Sequence, residues 1–432
     1  MEKLIEPGKE QWTELLERPS SNKLNIEAII GEVFDKVKEN GDDALIHFTE
    51  KFDGVSLNKE SFIITTEEIK DAVSKVPDDL KAAILLAKGN IEKFHRAQET
   101  EIISVETTPG VLCWQEKKPI QKVGLYIPGG SAPLFSTVLM LAIPAVIAGC
   151  GEIILCTPPN KSGNIDPAIL YTADLCGIRK IFKVGGIQAI AGMTFGTETI
   201  PKVLKIFGPG NQYVTAAKQM AAKLNIAIDV PAGPSELLIV ADDSAIPSFV
   251  ASDLLSQAEH GADSQVILIS KSENLMERVE EEINLQLQYL PRKDTAIASL
   301  ANSKMIFMKS DEDTLDLINE YGPEHLIICT SNEDFYLKGI QNAGSVFIGN
   351  YTPESAGDYA SGTNHTLPTS GFSKQYSGVV LDSFMKSMTF QRISEEGLKK
   401  IGPAIEIMAE AEGLQAHKKS VSFRLERLKS VR

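Results

Sequence analysis

The sequence has no CxxC pair, and its five cysteines, Cys113, Cys150, Cys156, Cys176 and Cys329, are an odd and scattered set. A disulfide-built scaffold is excluded, and the thiols read as reduced ones in a cytoplasmic protein. No Lys/Arg block is dense enough to track a phosphate backbone. With 43 basic against 58 acidic side chains the formal charge is -15, so nucleic acid is not an expected partner. That acidic balance favours a cationic small molecule only weakly, because salt screens it over about 8 Å. The N-terminus, MEKLIEPGKEQW, has no basic head, apolar stretch and small-residue cleavage site, so no export is expected. The longest uncharged stretch, Val123 to Gly151, is interrupted by Pro128, Gly129, Gly130, Pro133 and Pro144. It suits a buried strand, turn and helix rather than a membrane span. What remains is 432 residues, 43% hydrophobic and 23% charged. Such a chain folds, and it is too long for one ordinary core, so two or more domains are expected.

The first hundred residues read as helices: Glu27 to Asn40 stopped by Gly41, Thr66 to Val76, and Asp79 to Gln98 with a stripe of Leu80, Ile84, Ala87 and Ile91. From Lys122 the pattern changes to short β-branched runs, each followed by a helical stretch: VGLYIPGG, EIILCTPP, KIFKVGG, VLKIFGPG and ELLIVADD, then QVILIS, KMIFM, HLIIC and SVFI. Strands alternating with helices imply parallel sheets covered on both faces. About nine strands exceed one comfortable sheet, so two α/β units are expected, one centred on residues 126 to 234 and one after it. In such sheets ligands collect at the carboxyl ends of the strands. The Gly-rich turns YIPGGSAP, KVGGIQAIAG and FGPGNQYV put backbone amides beside helix starts there, although none is the GxGxxG fingerprint. A second informative stretch, Gly357 to Gly378, has neither helical nor strand periodicity and reads as a site loop.

The six histidines divide by context. His47 and His95 lie in Lys- and Glu-rich helical segments and read as scaffold. Gln257 and His260, three apart near the end of a helix beginning after Pro247, share a face and could point at one ion; the alternative for His260 is a helix-terminal residue favoured by the dipole. His417 lies on a helical stripe with Leu414, Val421, Leu425 and Leu428 and is expected to face packed surroundings, as a ligand or as a hydrogen-bonded core residue. Asp358 opens the long loop, as a ligand or as a Gly-Asp turn. Two His, one Asp and one Gln make a coherent nitrogen and oxygen set for Zn²⁺ with positions left for substrate. In YGPEHLIIC, Glu324 and His325 could reach one substrate only at an irregular strand start, which Gly322-Pro323 supplies. A carboxylate and an imidazole near one carbon suit serial proton abstraction.

Through QAEHG, GPEHL, GDYASGTNH and AEAEGLQAH, and also YIPGG, GGIQA, GPGNQYV and AGPSE, nearly the whole chain resembles the histidinol dehydrogenase family. The resemblance implies a two-domain Rossmann-like α/β homodimer with helical N-terminal and C-terminal extensions. It also implies NAD-dependent, zinc-requiring oxidation of L-histidinol through the aldehyde to L-histidine, the last step of histidine biosynthesis. Carried over residue by residue, it makes Gln257, His260, Asp358 and His417 the zinc ligands and Glu324 and His325 the acid-base pair. Ser235, His365 and Glu412 join the substrate shell, and Tyr126, Gln188 and Asn211 contact NAD. The C-terminal segment would be swapped, so that Glu412 and His417 complete the partner's site. The expected division is an N-terminal helical extension over 1–22, a discontinuous α/β domain over 23–125 and 235–378, an NAD-contacting α/β domain over 126–234, and a C-terminal helical segment over 379–432.

Zinc would then act mainly by orienting the substrate imidazole and amine. His325 would serve as base in both oxidations and Glu324 would activate water between them. Glu412 would read the substrate's amine or its imidazole. A thiohemiacetal route through Cys113 or Cys150 is disfavoured, because both settings read as buried and unactivated. Three rivals remain on sequence grounds: a dehydrogenase of another small amino alcohol or diol on the same scaffold, a zinc hydrolase in which Glu324 activates water without NAD, and a non-catalytic paralogue.

Overall fold

The computed structural model describes residues 1–19, 24–129, 133–230 and 233–430. Gly130, Ser131 and Ala132 of the YIPGGSAP turn, and Ala232 of the AGPSE stretch, lie outside the described residues. In chain order, β1 (Glu2–Ile5) opens the chain. β2 (Ile103–Thr108) and β3 (Val111–Pro119) follow the helical region. Next come β4 (Lys122–Tyr126), β5 (Glu152–Thr157), β6 (Lys180–Lys183), β7 (Lys205–Phe207) and β8 (Ala227–Ile228). After these come β9 (Glu236–Ala241), β10 (Gln265–Ser270), β11 (Lys304–Phe307), β12 (His325–Cys329), β13 (Ser345–Ile348) and β14 (Met385–Ile393). They form a parallel five-stranded sheet in the order β6-β5-β4-β7-β8 and a parallel six-stranded sheet in the order β1-β11-β10-β9-β12-β13. This is the mixed α/β class that the alternating strand and helix signals imply.

The runs ELLIVA and QVILIS are apolar at nearly every position because both faces of the large sheet are covered. Leu237 and Ile239 of β9 enter one core with Val250, Leu254 and Val279, while Leu238 and Val240 enter the other with Trp12, Leu317 and Tyr321. Each fully buried Leu or Ile contributes about 1.5–3 kcal/mol, so a charge at any of these positions would outweigh what one ion pair could return. The helical N-terminus is prefaced by a strand: β1 pairs with β11 from Glu2↔Lys304 to Ile5↔Phe307.

The apolar stripes of the early helices meet the five-stranded sheet. Ile30, Val33, Phe34, Leu45, Phe48 and Phe62 share one core with Ile154, Phe182, Ile190 and Ile206, so the early helices cover the five-stranded sheet. Their apolar stripes fix which face is buried, but the choice of sheet is a long-range matter that the stripes do not encode. Leu24–Asp53 is broken as expected at Gly41, whose φ of +52° suits glycine. The Glu198 carboxylate there accepts from the Asp42 amide at 2.9 Å.

Residues Glu99–Pro119 and Met385–Arg432 form a separate compact unit. In it β14, β3 and β2 make an antiparallel sheet, joined by the helices Glu395–Ala411 and Gln415–Ser430. The stretch 379–432 is therefore not all helical: Met385–Ile393 pairs with β3 along its full length, and Phe390 stacks on Trp114 with ring centroids 5.2 Å apart. Cross-strand pairing with a segment about 270 residues earlier supplies the order that local propensity did not signal. Among the described residues no helix is long and apolar enough to cross a membrane.

Candidate active site

The titratable cluster forms at the amino end of the large sheet, where β9 and β12 begin side by side. The helix Asp311–Tyr321 stops at Gly322, φ +60°, and Pro323 delays the strand so that Glu324 precedes β12 and His325 is its first residue. This irregular start lets two sequence neighbours share one space. The Glu236 amide donates to Glu324 Oε2 at 2.9 Å, and His325 Nδ1 lies 3.2 Å from the Glu236 carbonyl and 3.6 Å from Glu324 Oε2. A carbonyl only accepts, so Nδ1 carries the proton and Nε2 carries the lone pair, an assignment made from the hydrogen bonds. Nε2 is buried with no hydrogen-bond partner and lies 3.8 Å from Asp358 Oδ1. Burial pushes the His325 imidazole down to about 4, against the pull of Asp358, so it is neutral near pH 7.

Facing it is a group of carboxylates. Asp358 stands not in a loop but on the short helix Glu354–Tyr359, one turn after Glu354, and that correction explains how two acids share a face. Sequence reasoning missed Glu354. Its signal was the Glu-x-x-x-Asp spacing, hidden by reading Gly357 as a loop start. Glu354 is buried, and burial together with Asp358, Glu324 and Asp253 holds its carboxyl well above the usual range. Glu324 is raised in the same way by burial, Glu236 and Asp358, and burial lifts Asp253 to about 7. Carboxyls crowded into such a site are short of a cation.

The donor atoms of His260, Glu354 and Asp358 lie within 4.8 Å of one another. One imidazole nitrogen and two carboxylate oxygens at that spacing fit a divalent ion of the zinc, manganese or cobalt type with little adjustment. Gln257 is buried at the end of the helix Pro247–Ala258. With its amide nitrogen turned to Glu354, it donates to the two carboxylate oxygens at 2.5 and 3.1 Å, which directs the amide oxygen elsewhere. That nitrogen also approaches His325 Nδ1 at 3.2 Å, but its two hydrogens are engaged by Glu354. Of the four residues expected to hold metal, the structure thus brings His260 and Asp358 together and sets Gln257 against the same group through Glu354.

His417 and Glu412 belong to the separate C-terminal unit. His417 is exposed there, not packed: within that unit Gln415–Ser430 has Val421 as its one buried residue, and Leu414 and Phe423 are also exposed. Its expected apolar surroundings are therefore absent from that unit. Glu412 is exposed just beyond Glu395–Ala411. His365 Nδ1 lies 2.9 Å from the Asp358 carbonyl and its Nε2 3.1 Å from Thr137 Oγ1, and burial lowers its pKa. Ser235 is half-buried immediately before β9. The half-buried Cys150 thiol is pushed up to about 11 by burial, unsuited to nucleophilic attack near neutral pH.

The five-stranded sheet carries a second set of residues at its opposite, carboxyl end. Tyr126 closes β4, and its hydroxyl accepts from the Gly186 amide at 3.1 Å. Gln188 is buried on the helix Gly186–Phe195 after β6. It donates to Asp53 at 3.1 Å and leaves its own Oε1 without a partner. Asn211 caps the helix Gln212–Lys223 after β7, accepting from the Tyr213 and Val214 amides. Tyr126 and Asn211 thus flank β4 and β7, where the strand order reverses, and the helix start beside Asn211 suits a nucleotide's phosphates.

The histidinol dehydrogenase family model matches residues 16–425. A histidinol dehydrogenase of Bacteroides thetaiotaomicron is 58% identical over 430 residues, covering 99% of this chain and 100% of that protein. One from Vibrio parahaemolyticus is 50% identical over 424 residues, covering 98% and 97%. The crystal structure of histidinol dehydrogenase from Elizabethkingia anophelis superposes with a TM-score of 0.97 at 55% identity, covering 99% of each chain.

Proposed function

The chain belongs to the histidinol dehydrogenase family, the oxidoreductases of the histidine-biosynthesis step, and from that premise we propose that it oxidises L-histidinol to L-histidine through L-histidinaldehyde in a zinc-requiring, NAD-dependent, four-electron reaction. The observation that carries this reading is the buried, neutral His325. Its Nδ1 proton is tied to the Glu236 carbonyl, and its unpartnered Nε2 faces the carboxylate group that fits a metal. An imidazole held in one tautomer with a free lone pair is a base waiting for a proton.

His260, Asp358 and Gln257, with His417 of a second copy, would hold the zinc. When bound, it would orient the substrate's imidazole and amine so that the carbinol carbon faces the nicotinamide. NAD⁺, held by Tyr126, Gln188 and Asn211, would accept one hydride in each oxidation. In the first, His325 Nε2 removes the hydroxyl proton while the carbinol C–H bond breaks with both electrons, leaving the aldehyde. Glu324, whose proton affinity burial has raised, then takes a proton from water as the oxygen adds to the aldehyde carbon. His325 removes a hydroxyl proton from the resulting gem-diol as the second hydride leaves, and the acid ionises. One alcohol, one water and two NAD⁺ therefore give one carboxylate, two NADH and three protons. Ser235 and His365 would line the substrate, and Glu412 would meet its amine or imidazole across a homodimer with swapped C-terminal segments. The chain would work in the cytoplasm.

NADH formed per histidinol consumed, with and without a chelator, tests the reading. A ratio near two that falls to no turnover on chelation is expected. Turnover without NAD⁺ would favour the zinc hydrolase, and a ratio near one would remove the second oxidation.

A further inference from the structure

Glu236, whose carboxylate the mechanism above does not use, joins four separate parts of the chain. Its backbone holds both acid-base residues: the amide donates to Glu324 Oε2 at 2.9 Å, and the carbonyl faces His325 Nδ1 at 3.2 Å. Its buried carboxylate accepts from the Ser370 amide at 2.6 Å, tying in the loop that carries His365. The same carboxylate receives a two-pronged grip from Arg18, with Nε to Oε1 at 2.5 Å and Nη2 to Oε2 at 2.9 Å. Arg18 Nη2 also donates to the Tyr321 carbonyl at 2.8 Å, three residues before Glu324, and the guanidinium lies 4.1 Å from the centre of the Tyr321 ring. Arg18 therefore spans the start of β9 and the end of the helix that delivers Glu324. A planar guanidinium with two parallel bonds and a stacked face fixes relative position as well as charge, which an ammonium cannot reproduce.

We propose that Arg18 is a positioning residue for the oxidation: through Glu236 and the Tyr321 carbonyl it locks the starts of β9 and β12 in register, and so holds His325 and Glu324 at their working geometry. It touches neither substrate nor cofactor. The inference rests on the functional reading above, since it concerns the same acid-base pair.

The test is steady-state NADH formation from histidinol by the full-length, metal-loaded parent and by R18A, R18K and E236Q, with metal content and the KM for NAD⁺ measured in parallel. A displacement of about 1 Å at a reacting group costs on the order of 100-fold, so R18A is expected to lose about that factor in kcat, with metal content and the KM for NAD⁺ unchanged. Low-millimolar guanidinium should restore part of the loss in R18A, and ammonium at equal ionic strength should not. R18K and E236Q should fall between R18A and the parent. An R18A enzyme within twofold of the parent in kcat overturns the proposal, as does a loss matched by lost metal or one that guanidinium leaves untouched. Should R18A fail to fold, R18K and E236Q decide alone, and parental kcat in both overturns the proposal. A parent that makes no NADH from histidinol overturns the functional reading, and this inference with it.

Discussion

The two parallel sheets follow one plan and use it in opposite ways. In each, a central strand is followed by two added on one side, and the chain then turns back to add two on the other: β4 to β8 in one, and β9 to β13 in the other, where β1 adds an outer strand beside β11. The smaller sheet gathers its proposed nucleotide residues at the carboxyl end, where glycine turns and helix starts present amides and positive dipole ends. The larger sheet gathers its proposed acid-base residues at the amino end, where the helices Pro247–Ala258 and Asp311–Tyr321 finish and present carbonyls and negative dipole ends. That environment suits a cation and a cationic substrate. At the carboxyl end of the larger sheet Asp242 accepts from the backbone amides and hydroxyls of Ser244 and Ser331, beside a cavity of about 10 Å³. Strand order alone therefore does not say where chemistry occurs. The helix ends and the polar groups placed at each mouth decide it.

Four measurements would break or sharpen this contrast. The largest effect is expected from H325N, which keeps a polar side chain of similar reach but removes the base. General-base catalysis is worth about 10²–10⁴, so kcat should fall by about 10³, read as NADH formation. A variant retaining a tenth of parental kcat would move the chemistry away from the amino end. D358N should weaken metal retention by about 10–100-fold, read as metal content after dialysis against a graded chelator; losses of that size follow even from damage to a ligand's supports. Unchanged retention would detach Asp358 from the metal. At the carboxyl end of the smaller sheet, Q188A should raise the KM for NAD⁺ by about tenfold, the worth of about 1.4 kcal/mol, with little change in kcat. An unchanged KM would leave that end without a cofactor role.

The smallest kinetic effect belongs to the carboxyl end of the larger sheet. D242N should leave kcat and both KM values within about twofold while lowering stability, since hydrogen bonds from Ser244 and Ser331 hold the carboxyl down to about 2 although burial pushes it up. A depressed folded-state pKa means that the unfolded chain binds the extra proton on acidification. The parent's advantage over D242N is therefore fully present above pH 3.8 and is lost as pH falls through about 2. Its size is about 2 kcal/mol, read from denaturant melts across that range. A kinetic defect in D242N would reopen the carboxyl end as a site.

The sequence made the strands legible because their signal is local: ELLIVA and QVILIS are apolar throughout, and Gly322-Pro323 announces an irregular start before Glu324 and His325. The Gln257 and His260 spacing was legible for the same reason, being one helical turn. Glu354 was not, because Gly357 reads as the start of a loop although its segment closes one more helical turn. Nor was the placement of the early helices, whose stripes at Ile30, Phe34 and Leu45 mark a buried face without naming the sheet it covers. The pairing of Met385–Ile393 with Val111–Pro119 went unseen because no local pattern encodes a partner so far away. Family resemblance supplied the expected roles of His417 and Glu412; periodicity placed only His417, on an apolar stripe, and within its own unit His417 is exposed.

The pairing of β1 with β11 sets a timetable for synthesis. Glu2–Ile5 cannot find Lys304 until about 300 more residues have been made, a wait of about 15–60 s at 5–20 residues per second. Until then Glu2–Ile5 is an unpaired edge, open to mispairing with other nascent chains. The arm that carries Arg18 stays untethered as well, until Glu236 and Tyr321 emerge. The bridge from the start of β9 to the end of the helix before Glu324 therefore forms only after residue 321 has been made.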